Sequence, residues 1–274
     1  MKLADPAHVA EQYHDSTRFD ARVRIYELYD TSPEPWVRWL FERLALRPDE
    51  RVLELGCGTG NLWRANAERV PAGVTLTLTD LSPGMLEQAR TRLAGLPLAF
   101  ALCEADAQAI PFADASFDVV IASHMLYHVP DRPLALGEVR RVLRSGGRFI
   151  AGTNHWTHLL ELRELLTRFG VESSLLPPVR DPALFDVETA AEEISAVLEV
   201  AAVERRESAL EIRDVEPLIA YVRSMSAGAS PGSLALEALG HHVARQIALM
   251  GALHVGIAAG VVRARKRQLT PASA

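Results

Sequence analysis

The sequence predicts an α/β fold in which helices cover a mainly parallel sheet. Short apolar runs of strand length alternate with amphipathic, helical stretches through the middle third of the chain. Strands and helices that alternate at this spacing form βαβ units, whose strands run parallel. The composition agrees, because 49% of the 274 residues are apolar and 23% are charged, as in ordinary globular proteins. A mainly disordered chain, a collagen and a coiled coil are therefore excluded.

Five strands and the helices between them can be located in order. Apolar or β-branched runs predict strands at 51–55, 75–79, 98–104, 118–122 and 148–152. Helices are predicted at 61–69, 84–93 and 132–143. The second helix is opened by an N-cap serine, Ser82, and a first-turn proline, Pro83. A turn at Ser145, Gly146 and Gly147 is expected to lead into the fifth strand.

The two ends of the chain differ from the middle. Residues 1–48 are predicted to be helical, because Trp36, Trp39, Leu40 and Leu44 recur at helical spacing. Beyond the fifth strand, helices are predicted within 155–198 and at 215–225 and 233–250, and strands at 199–212 and 252–262. Small residues at 224–233 predict a loop.

Charge and cysteine content limit the partners. The net charge is −6, from 35 acidic and 29 basic residues, which disfavours a protein that binds mainly nucleic-acid phosphates. Two cysteines cannot build a disulfide framework, and acidic residues early in the chain replace the apolar core of a signal peptide. The uncharged segment 247–262 is sixteen residues long, short of a membrane span, and holds three glycines. We therefore expect a cytoplasmic monomer or homodimer with no membrane span and no nucleic-acid partner.

A glycine-rich turn carries the strongest functional signal. The buried strand ends in Leu55, and glycine follows at every second position: Gly56, Gly58 and Gly60. Without Cβ atoms, such a turn lets the backbone approach a ligand closely. It lies at the carboxyl end of a strand, where open α/β sheets bind ligands.

Acidic residues follow the next two strands. Asp80 ends the second strand, where a carboxylate can accept hydrogen bonds from both ribose hydroxyls of an adenosine. Asp106 follows the third strand, and its carboxylate can accept a hydrogen bond from the exocyclic amine of adenine. The loop reads G-x-G-x-G and then Asn61, which differs from the dinucleotide fingerprint and disfavours a nicotinamide oxidoreductase. Glu54 suits a positively charged ligand better than a pyrophosphate, and S-adenosylmethionine carries a sulfonium and an ammonium but no phosphate.

Four segments in this order resemble the class I S-adenosylmethionine-dependent methyltransferases, within the broad bacterial group that acts on small molecules. They are VLELGCGTG at 52–60, TDLSPGMLEQAR at 79–90, the stretch 104–131 and LRSGGRFI at 143–150. Ser145 stands where the family usually has proline. The resemblance implies a Rossmann-like three-layer α/β/α sandwich with a seven-stranded, mostly parallel sheet whose last strand is antiparallel.

The resemblance also implies an organisation of the chain. We expect an N-terminal helical cap or lid at 1–46 and a core that binds S-adenosylmethionine at 47–154. Residues 155–274 would complete the same domain with a helical insertion, elements of the acceptor pocket and the C-terminal strands. S-adenosylhomocysteine would be the product.

Carried over residue by residue, the resemblance implies a cofactor site. Glu54 would lie near the ammonium of the cofactor, Asp80 would hold the ribose and Asp106 the adenine amine. The other implied contacts are Gly56, Cys57, Gly58, Gly60, Leu81, Met85, Ala107 and Ser123. Ser123 would lie near the sulfonium end.

Two segments are candidates for the acceptor side. The first, 123–128, offers His124, Tyr127 and His128 as catalytic residues, because histidine is the natural base near neutral pH. The second follows the fifth strand and offers Asn154 and His155 for binding a small acceptor. Either histidine of the first segment also fits a purely structural role.

Other histidine and tyrosine positions bear on whether the chain holds a metal ion or has a lid. His124 and His128 are spaced like an i, i+4 ligand pair on a helix, but a third ligand is missing, so no metal is expected. Tyr13, His14 and Tyr26 are candidates for closing over the cofactor, with Tyr13 also assigned to the acceptor.

The sequence predicts a methyltransferase acting on a small molecule at O, N or C. Two alternatives stay open: a regulatory protein that binds the cofactor without turnover, and a C-methyltransferase of the quinone type, which 79–90 resembles. The acceptor and the methylated atom are not predicted.

Overall fold

The computed structural model describes Ala4 and residues 17–171, 185–225 and 233–267. In this part of the chain, seven strands form one sheet in the order β3-β2-β1-β4-β5-β7-β6. The strands are β1 Arg51–Leu55, β2 Thr75–Asp80, β3 Ala99–Glu104, β4 Phe117–Ser123, β5 Leu143–Asn154, β6 Glu199–Ile212 and β7 Leu253–Arg265.

Helices connect these strands. They are α1 Thr17–Tyr29, α2 Trp36–Leu44, α3 Asn61–Arg64, α4 Pro83–Leu93, α5 Arg132–Val142, α6 Leu160–Arg168, α7 Val187–Ser195, α8 Val215–Ser224 and α9 Ser233–Met250. Short 3-10 turns occur at Ala67–Arg69 and Leu126–His128. No described helix is both long enough and apolar enough to span a membrane.

The sheet is parallel from β3 through β5. β1 pairs in parallel with β2 and β4, β2 with β3, and β4 with β5. The final strand runs the other way: the Gly146 amide donates to the Lys266 carbonyl, and the Lys266 amide donates to Gly147. The predicted Rossmann-like sheet with an antiparallel last strand is confirmed.

One predicted turn is wrong. Residues 145–147 were expected to form a turn before the fifth strand, but they belong to β5, which begins at Leu143. The pairing with β4 shifts here, since Phe117 pairs with Leu143 and Val119 pairs with Arg148. Because Gly146 and Gly147 hydrogen-bond to Lys266, they form an irregular part of the strand and do not turn.

The predicted break near the C-terminal end is confirmed. α9 ends at Met250, and Gly251 follows with φ +83°, a left-handed conformation that glycine adopts without strain. β7 then begins at Leu253.

Described contacts group the chain into two compact units. The larger comprises Trp36–Thr153, Phe185–Arg205 and Gly260–Ala274. The smaller comprises Met1–Pro35, Asn154–Leu184 and Arg206–Ala259. The division of the chain expected from the sequence, at residues 46 and 154, stays a prediction.

The larger unit has core on both faces of its sheet. Val119 and Ile121 of β4 join one apolar cluster, whereas Val120 and Ala122 join another. Alternate residues of a strand point to opposite faces, so an uninterrupted apolar run marks a strand covered on both sides. Helices α2, α3 and α4 contribute to the first cluster, and α5 and α7 contribute to the second.

The smaller unit has its own apolar core. Ile25 of α1, Leu162 of α6, Val222 of α8 and Val243 of α9 are buried in one cluster. Four helices therefore share a core in this unit.

Candidate functional site

The glycine turn after β1 has the geometry that its residues predict. Gly56, Gly58 and Gly60 have φ of +65°, +55° and +77°, all in the left-handed region. A Cβ atom at Gly56 would lie 2.7 Å from the Cβ of Met125. The Cys57 amide donates to the Thr79 carbonyl at 2.8 Å, which ties the turn to β2.

Asp80 is the last residue of β2 and orders this turn. Its Oδ2 accepts from the Gly58 amide, and its Oδ1 accepts from the Ser82 amide, both at 2.9 Å. Burial raises the pKa of Asp80, and the backbone donors oppose that shift. The structure thus brings Asp80 and the glycine turn together, as the sequence predicted.

Glu54 is a second buried acid beside the turn. Only 3% of its surface is exposed, and its Oε2 accepts from the indole Nε1 of Trp63 at 2.6 Å. Burial raises the pKa of Glu54 to about 8, the Trp63 bond lowers it, and the charge of Asp80 raises it further. Two carboxyl groups that influence each other therefore lie beside the turn, one buried and one partly exposed, and neither pairs with a cationic side chain among the described residues.

Asp106, the third predicted acid, is already hydrogen-bonded to another residue of the chain. Asp106 accepts from the Gln108 amide at 2.8 Å and from Gln108 Nε2 at 3.0 and 3.1 Å. Gln108 Oε1 in turn accepts from the Asp131 amide at 3.0 Å. Sequence reasoning missed Gln108, although an acid followed two residues later by a polar side chain is a known local hydrogen-bonding pattern.

Two of the predicted cofactor contacts, Leu81 and Met85, differ in solvent exposure. Leu81 is 50% exposed, whereas Met85 is 1% exposed and lies on the buried face of α4. Ala107 is also buried. The expected Ser82 cap is confirmed, since its hydroxyl accepts from the Met85 amide at 3.3 Å.

At the end of β4, Ser123 leads into a strained residue. His124 has φ +54°, and its amide donates to the Gly152 carbonyl at 2.8 Å. Its ring meets the Trp36 indole edge-on at 4.9 Å between centroids. Burial lowers the pKa of His124 to about 4, so the ring is neutral near pH 7. The sequence placed Trp36 in a cap, and its contact with His124 was missed.

The expected helical pairing of His124 and His128 is wrong. The left-handed His124 is followed by the 3-10 turn Leu126–His128, so the two do not lie on one face of an α-helix. Within the described residues, no group of three or more His, Cys, Asp or Glu could hold a metal ion. Tyr127 and His128 pack together, with ring centroids 4.5 Å apart.

The predicted acceptor residues belong to the smaller unit. Asn154 ends β5, and the Nδ1 atom of His155 lies 2.7 Å from the Thr157 hydroxyl. Tyr26 of α1 has its hydroxyl 3.0 Å from His158 Nε2. Tyr13 and His14 lie outside the described residues. The lid role of these tyrosines stays a prediction.

Residues 53–151 match a family model described as a methyltransferase domain. A curated relative is the ubiquinone/menaquinone biosynthesis C-methyltransferase of Xanthomonas campestris pv. campestris, 39% identical over 115 residues. That match covers 41% of this chain and 46% of the relative, so the chain spans less than half of the relative's length.

Two solved structures share the fold over most of the chain. A crystal structure from Bacillus halodurans C-125 superposes with a TM-score of 0.60 and 18% identity, covering 85% of this chain and 99% of that one. The [4+2]-cyclase SpnF superposes with a TM-score of 0.59 and 17% identity, covering 96% and 97%. At such low identity these likenesses establish the fold alone.

Proposed function

We propose that this chain is a class I S-adenosylmethionine-dependent methyltransferase that acts on a small-molecule acceptor, which is supported by the match of residues 53–151 to a methyltransferase-domain model and by the similar quinone C-methyltransferase. The observation that carries the proposal is the pair of acids beside a turn of left-handed glycines: the buried Glu54, and Asp80, whose carboxylate accepts from the turn. Desolvated acids disfavour a phosphate ligand and favour a cationic one. The family's cofactor has that charge.

The residues present fit this cofactor. When bound, it would supply a methyl group on a positively charged sulfur that is open to in-line displacement. An ionised carboxylate has about four acceptor positions. Asp80 uses two of them for the Gly58 and Ser82 amides, so it keeps capacity for two ribose hydroxyls.

The remaining contacts extend the site along the edge of the sheet. Glu54 would offer a carboxylate to the cofactor's ammonium once that positive charge lowers its pKa from about 8, and Asp106 keeps acceptor capacity on Oδ2 beside Gln108. The other proposed contacts are Gly56, Cys57, Gly58, Gly60, Leu81, Met85, Ala107 and Ser123.

Calorimetric titration with S-adenosylhomocysteine tests the cofactor, with NADH as the control ligand. We expect S-adenosylhomocysteine alone to bind. Asp80→Ala should weaken binding about 100-fold, because two hydrogen bonds to an ionised group and the anchor of Gly58 are lost. Glu87→Ala is the matched control, since Glu87 is an exposed acid that pairs only with Arg90 on α4. Equal affinity for both variants would refute the site.

For the transfer step, we propose His128 as the base where the acceptor must lose a proton. His124, whose pKa is lowered to about 4, is too weak a base at neutral pH. Its uncharged ring packs edge-on against Trp36. Tyr127 packs on His128 and orients its ring. His128→Asn should lower turnover at least tenfold and leave S-adenosylhomocysteine affinity within about twofold. An equal loss of both would make His128 structural.

The acceptor is proposed to be a small molecule, with Asn154 and His155 among its contacts. Similarity to the Xanthomonas C-methyltransferase favours a quinone-type ring as one candidate class. Labelled methyl transfer to a hydroquinone, an amine and a carboxylic acid of similar size is compared, and the position of the label in each product distinguishes C-, N- and O-methylation.

A cofactor-binding protein without methyl transfer is the second candidate. A protein named as a [4+2]-cyclase shares the fold, so the fold by itself does not imply methyl transfer. Binding of S-adenosylhomocysteine with no labelled product from any of the three acceptor classes would support this candidate.

A further inference from the structure

One hydrogen-bond donor at the edge of the larger unit's sheet is buried without a partner. Trp36 is the first residue of α2, and its indole Nε1 is buried with no hydrogen-bond partner. An indole nitrogen can only donate, and a buried donor that makes no hydrogen bond is unfavourable. The Trp36 ring stacks on Trp39 of the same helix, with centroids 5.1 Å apart. A ligand atom that accepts a hydrogen bond would satisfy the Trp36 indole.

The glycine beside this indole is required by space and not by backbone conformation. Gly152 lies within β5, and its φ is not positive, so another residue could adopt the same backbone. A Cβ atom there would lie 3.2 Å from Trp36 Cζ2 and 3.2 Å from Ser123 Oγ. In an indole, Cζ2 is bonded to the carbon that carries Nε1, so this edge of the ring borders Gly152. Glycine inside a strand often marks a place that a ligand approaches closely.

His124 adds a second uncharged polar group at the same place. Its amide donates to the Gly152 carbonyl at 2.8 Å, and its ring centroid lies 4.9 Å from that of Trp36. Its φ of +54° is a strained conformation of the kind that clusters at ligand sites. The neutral ring has one nitrogen that donates and one that accepts. Within the described part of the chain, neither ring nitrogen makes a hydrogen bond.

These side chains lie next to the glycine turn. Ser123 is the last residue of β4 and pairs with Gly152 of β5. Met125 follows two residues later, and its Cβ would lie 2.7 Å from a Cβ atom at Gly56. The carboxyl ends of neighbouring parallel strands are where open α/β sheets bind ligands. The unpartnered indole and imidazole are therefore placed where an acceptor would lie beside the proposed cofactor.

We propose that Trp36 and His124 bind the hydroxyl group of an uncharged acceptor molecule. The indole of Trp36 donates to the hydroxyl oxygen, and the unprotonated nitrogen of His124 accepts from the hydroxyl. An ether or a carbonyl lacks the donor for His124. A carboxylate lacks it too, and it carries a charge that neither ring balances. This inference rests on the proposed function, because it names the class of acceptor for the methyl transfer.

Calorimetric titration of the full chain, saturated with S-adenosylhomocysteine, tests this site with phenol, anisole and sodium benzoate as probes. Phenol should bind, anisole about fivefold more weakly because it has no hydroxyl proton, and benzoate at least tenfold more weakly. Tighter binding of anisole or benzoate than of phenol would overturn the hydroxyl assignment.

Trp36→Phe removes the indole donor and keeps an aromatic ring. The Kd for phenol should rise about fivefold, because one hydrogen bond between neutral groups is lost. Trp39→Phe is the matched control, since it makes the same change in the neighbouring ring of α2, and it should keep the Kd within about twofold. An equal rise in both variants would show that the ring packing alone matters.

Gly152→Ala tests the space beside the indole. The added Cβ lies against Trp36 and Ser123, so the Kd for phenol should rise at least tenfold. Gly137→Ala is the control, because nothing lies within 4 Å of its added atom, and it should bind phenol normally. Unchanged phenol affinity in Gly152→Ala would contradict a ligand at this place.

The hydroxyl site and the proposed function can fail separately. Trp36→Phe should keep its S-adenosylhomocysteine affinity within about twofold, because Trp36 is not among the proposed cofactor contacts. Binding of S-adenosylhomocysteine without binding of phenol would overturn the hydroxyl site and leave the cofactor proposal intact. Failure of S-adenosylhomocysteine to bind would refute the proposed function, and phenol titrated into the chain alone would then decide the hydroxyl site.

Discussion

Two buried clusters of opposite charge distinguish the two units. In the larger unit, burial raises the pKa values of Glu54 and Asp80. In the smaller unit, burial lowers the pKa of Arg163. Desolvation penalises the charged form in each case, and a ligand of the opposite charge relieves that penalty. In the first cluster this favours a cationic ligand, whereas for Arg163 the described residues show only that no acidic side chain pairs with it.

A paired buried charge in the larger unit provides the contrast. Arg148 of β5 donates from both terminal nitrogens to the carboxylate of Glu50, each at 2.8 Å. Burial acts to raise the pKa of Glu50, but hydrogen bonds from Arg148 and the Arg47 amide outweigh it, and the pKa is lowered. The charges of this pair balance each other, although the Nε of Arg148 has no hydrogen-bond partner, and we interpret its role as structural.

The largest expected effect tests that contrast. Arg148→Met leaves the carboxylate of Glu50 buried without its cation and should lower the free energy of unfolding by about 4 kcal/mol. Arg163→Met removes a charge that pairs with no acidic side chain among the described residues, so it should lower the free energy of unfolding far less. Urea unfolding of both variants without ligand measures the difference. Equal destabilisation would mean that the protein itself balances Arg163, and the comparison of clusters would fail.

The second-largest loss of stability is expected from a substitution in the glycine turn. Gly56→Ala places a Cβ against Met125 in a left-handed conformation and should cost about 3 kcal/mol, with loss of S-adenosylhomocysteine binding. Gly95→Ala is the matched control, since Gly95 has φ +78° with nothing within 4 Å of the added atom. It should cost about 1 kcal/mol from backbone strain and leave binding unchanged. Similar costs would show that strain alone explains the glycine at 56.

The next effect is the pH dependence of stability that the titration of Glu54 causes. Its folded pKa of about 8 exceeds the unfolded value of 4.5, so the folded chain binds more protons between these pH values. Stability should therefore fall as pH rises through this window, by about 2 kcal/mol between pH 5.5 and 7.5. Glu54→Gln should lose this dependence when unfolding is measured across that range. An unchanged pH profile in the variant would show that Glu54 is ionised throughout.

His124 should contribute the smallest effect, with the opposite slope. Its folded pKa of about 4 lies below the unfolded value of 6.5, so the unfolded chain binds the proton first as pH falls. The stability that the neutral His124 contributes is fully present above pH 6.5. It should decrease by about 1 kcal/mol as the pH falls from 7.5 to 5.5. This rise with pH opposes the larger fall that comes from Glu54. His124→Asn, which tolerates a positive φ, should therefore make the net fall in stability from pH 5.5 to 7.5 steeper by about 1 kcal/mol. An unchanged or shallower profile in the variant would contradict a buried, neutral ring.

Local sequence patterns predicted the strands and the glycine turn. The five strands of the middle third were expected from runs of apolar residues, and the structure places β1 to β4 within two residues of the expected bounds. The turn at 145–147 was misplaced because Gly146 and Gly147 are turn residues by propensity, whereas pairing with Lys266 holds them in β5. Tertiary pairing overrode the local preference at that point.

The candidate site was predictable where one segment supplies both its residues and its geometry. Asp80 could be placed near Gly58 because the carboxyl ends of adjacent parallel strands meet at one edge. The contact of Trp36 with His124 joins residues 88 positions apart, and no local pattern reports it.

By itself, the sequence determined the βαβ order, the left-handed turn and the acids that follow the strands. These features depend on residues that are close along the chain or that parallel strands align. Only the tertiary structure decided which charges are paired: Arg148 meets Glu50, whereas Arg163 donates to the Trp156 carbonyl and pairs with no described acidic side chain. The desolvation of a charge depends on everything that packs around it, and that environment comes from elements distant in the sequence.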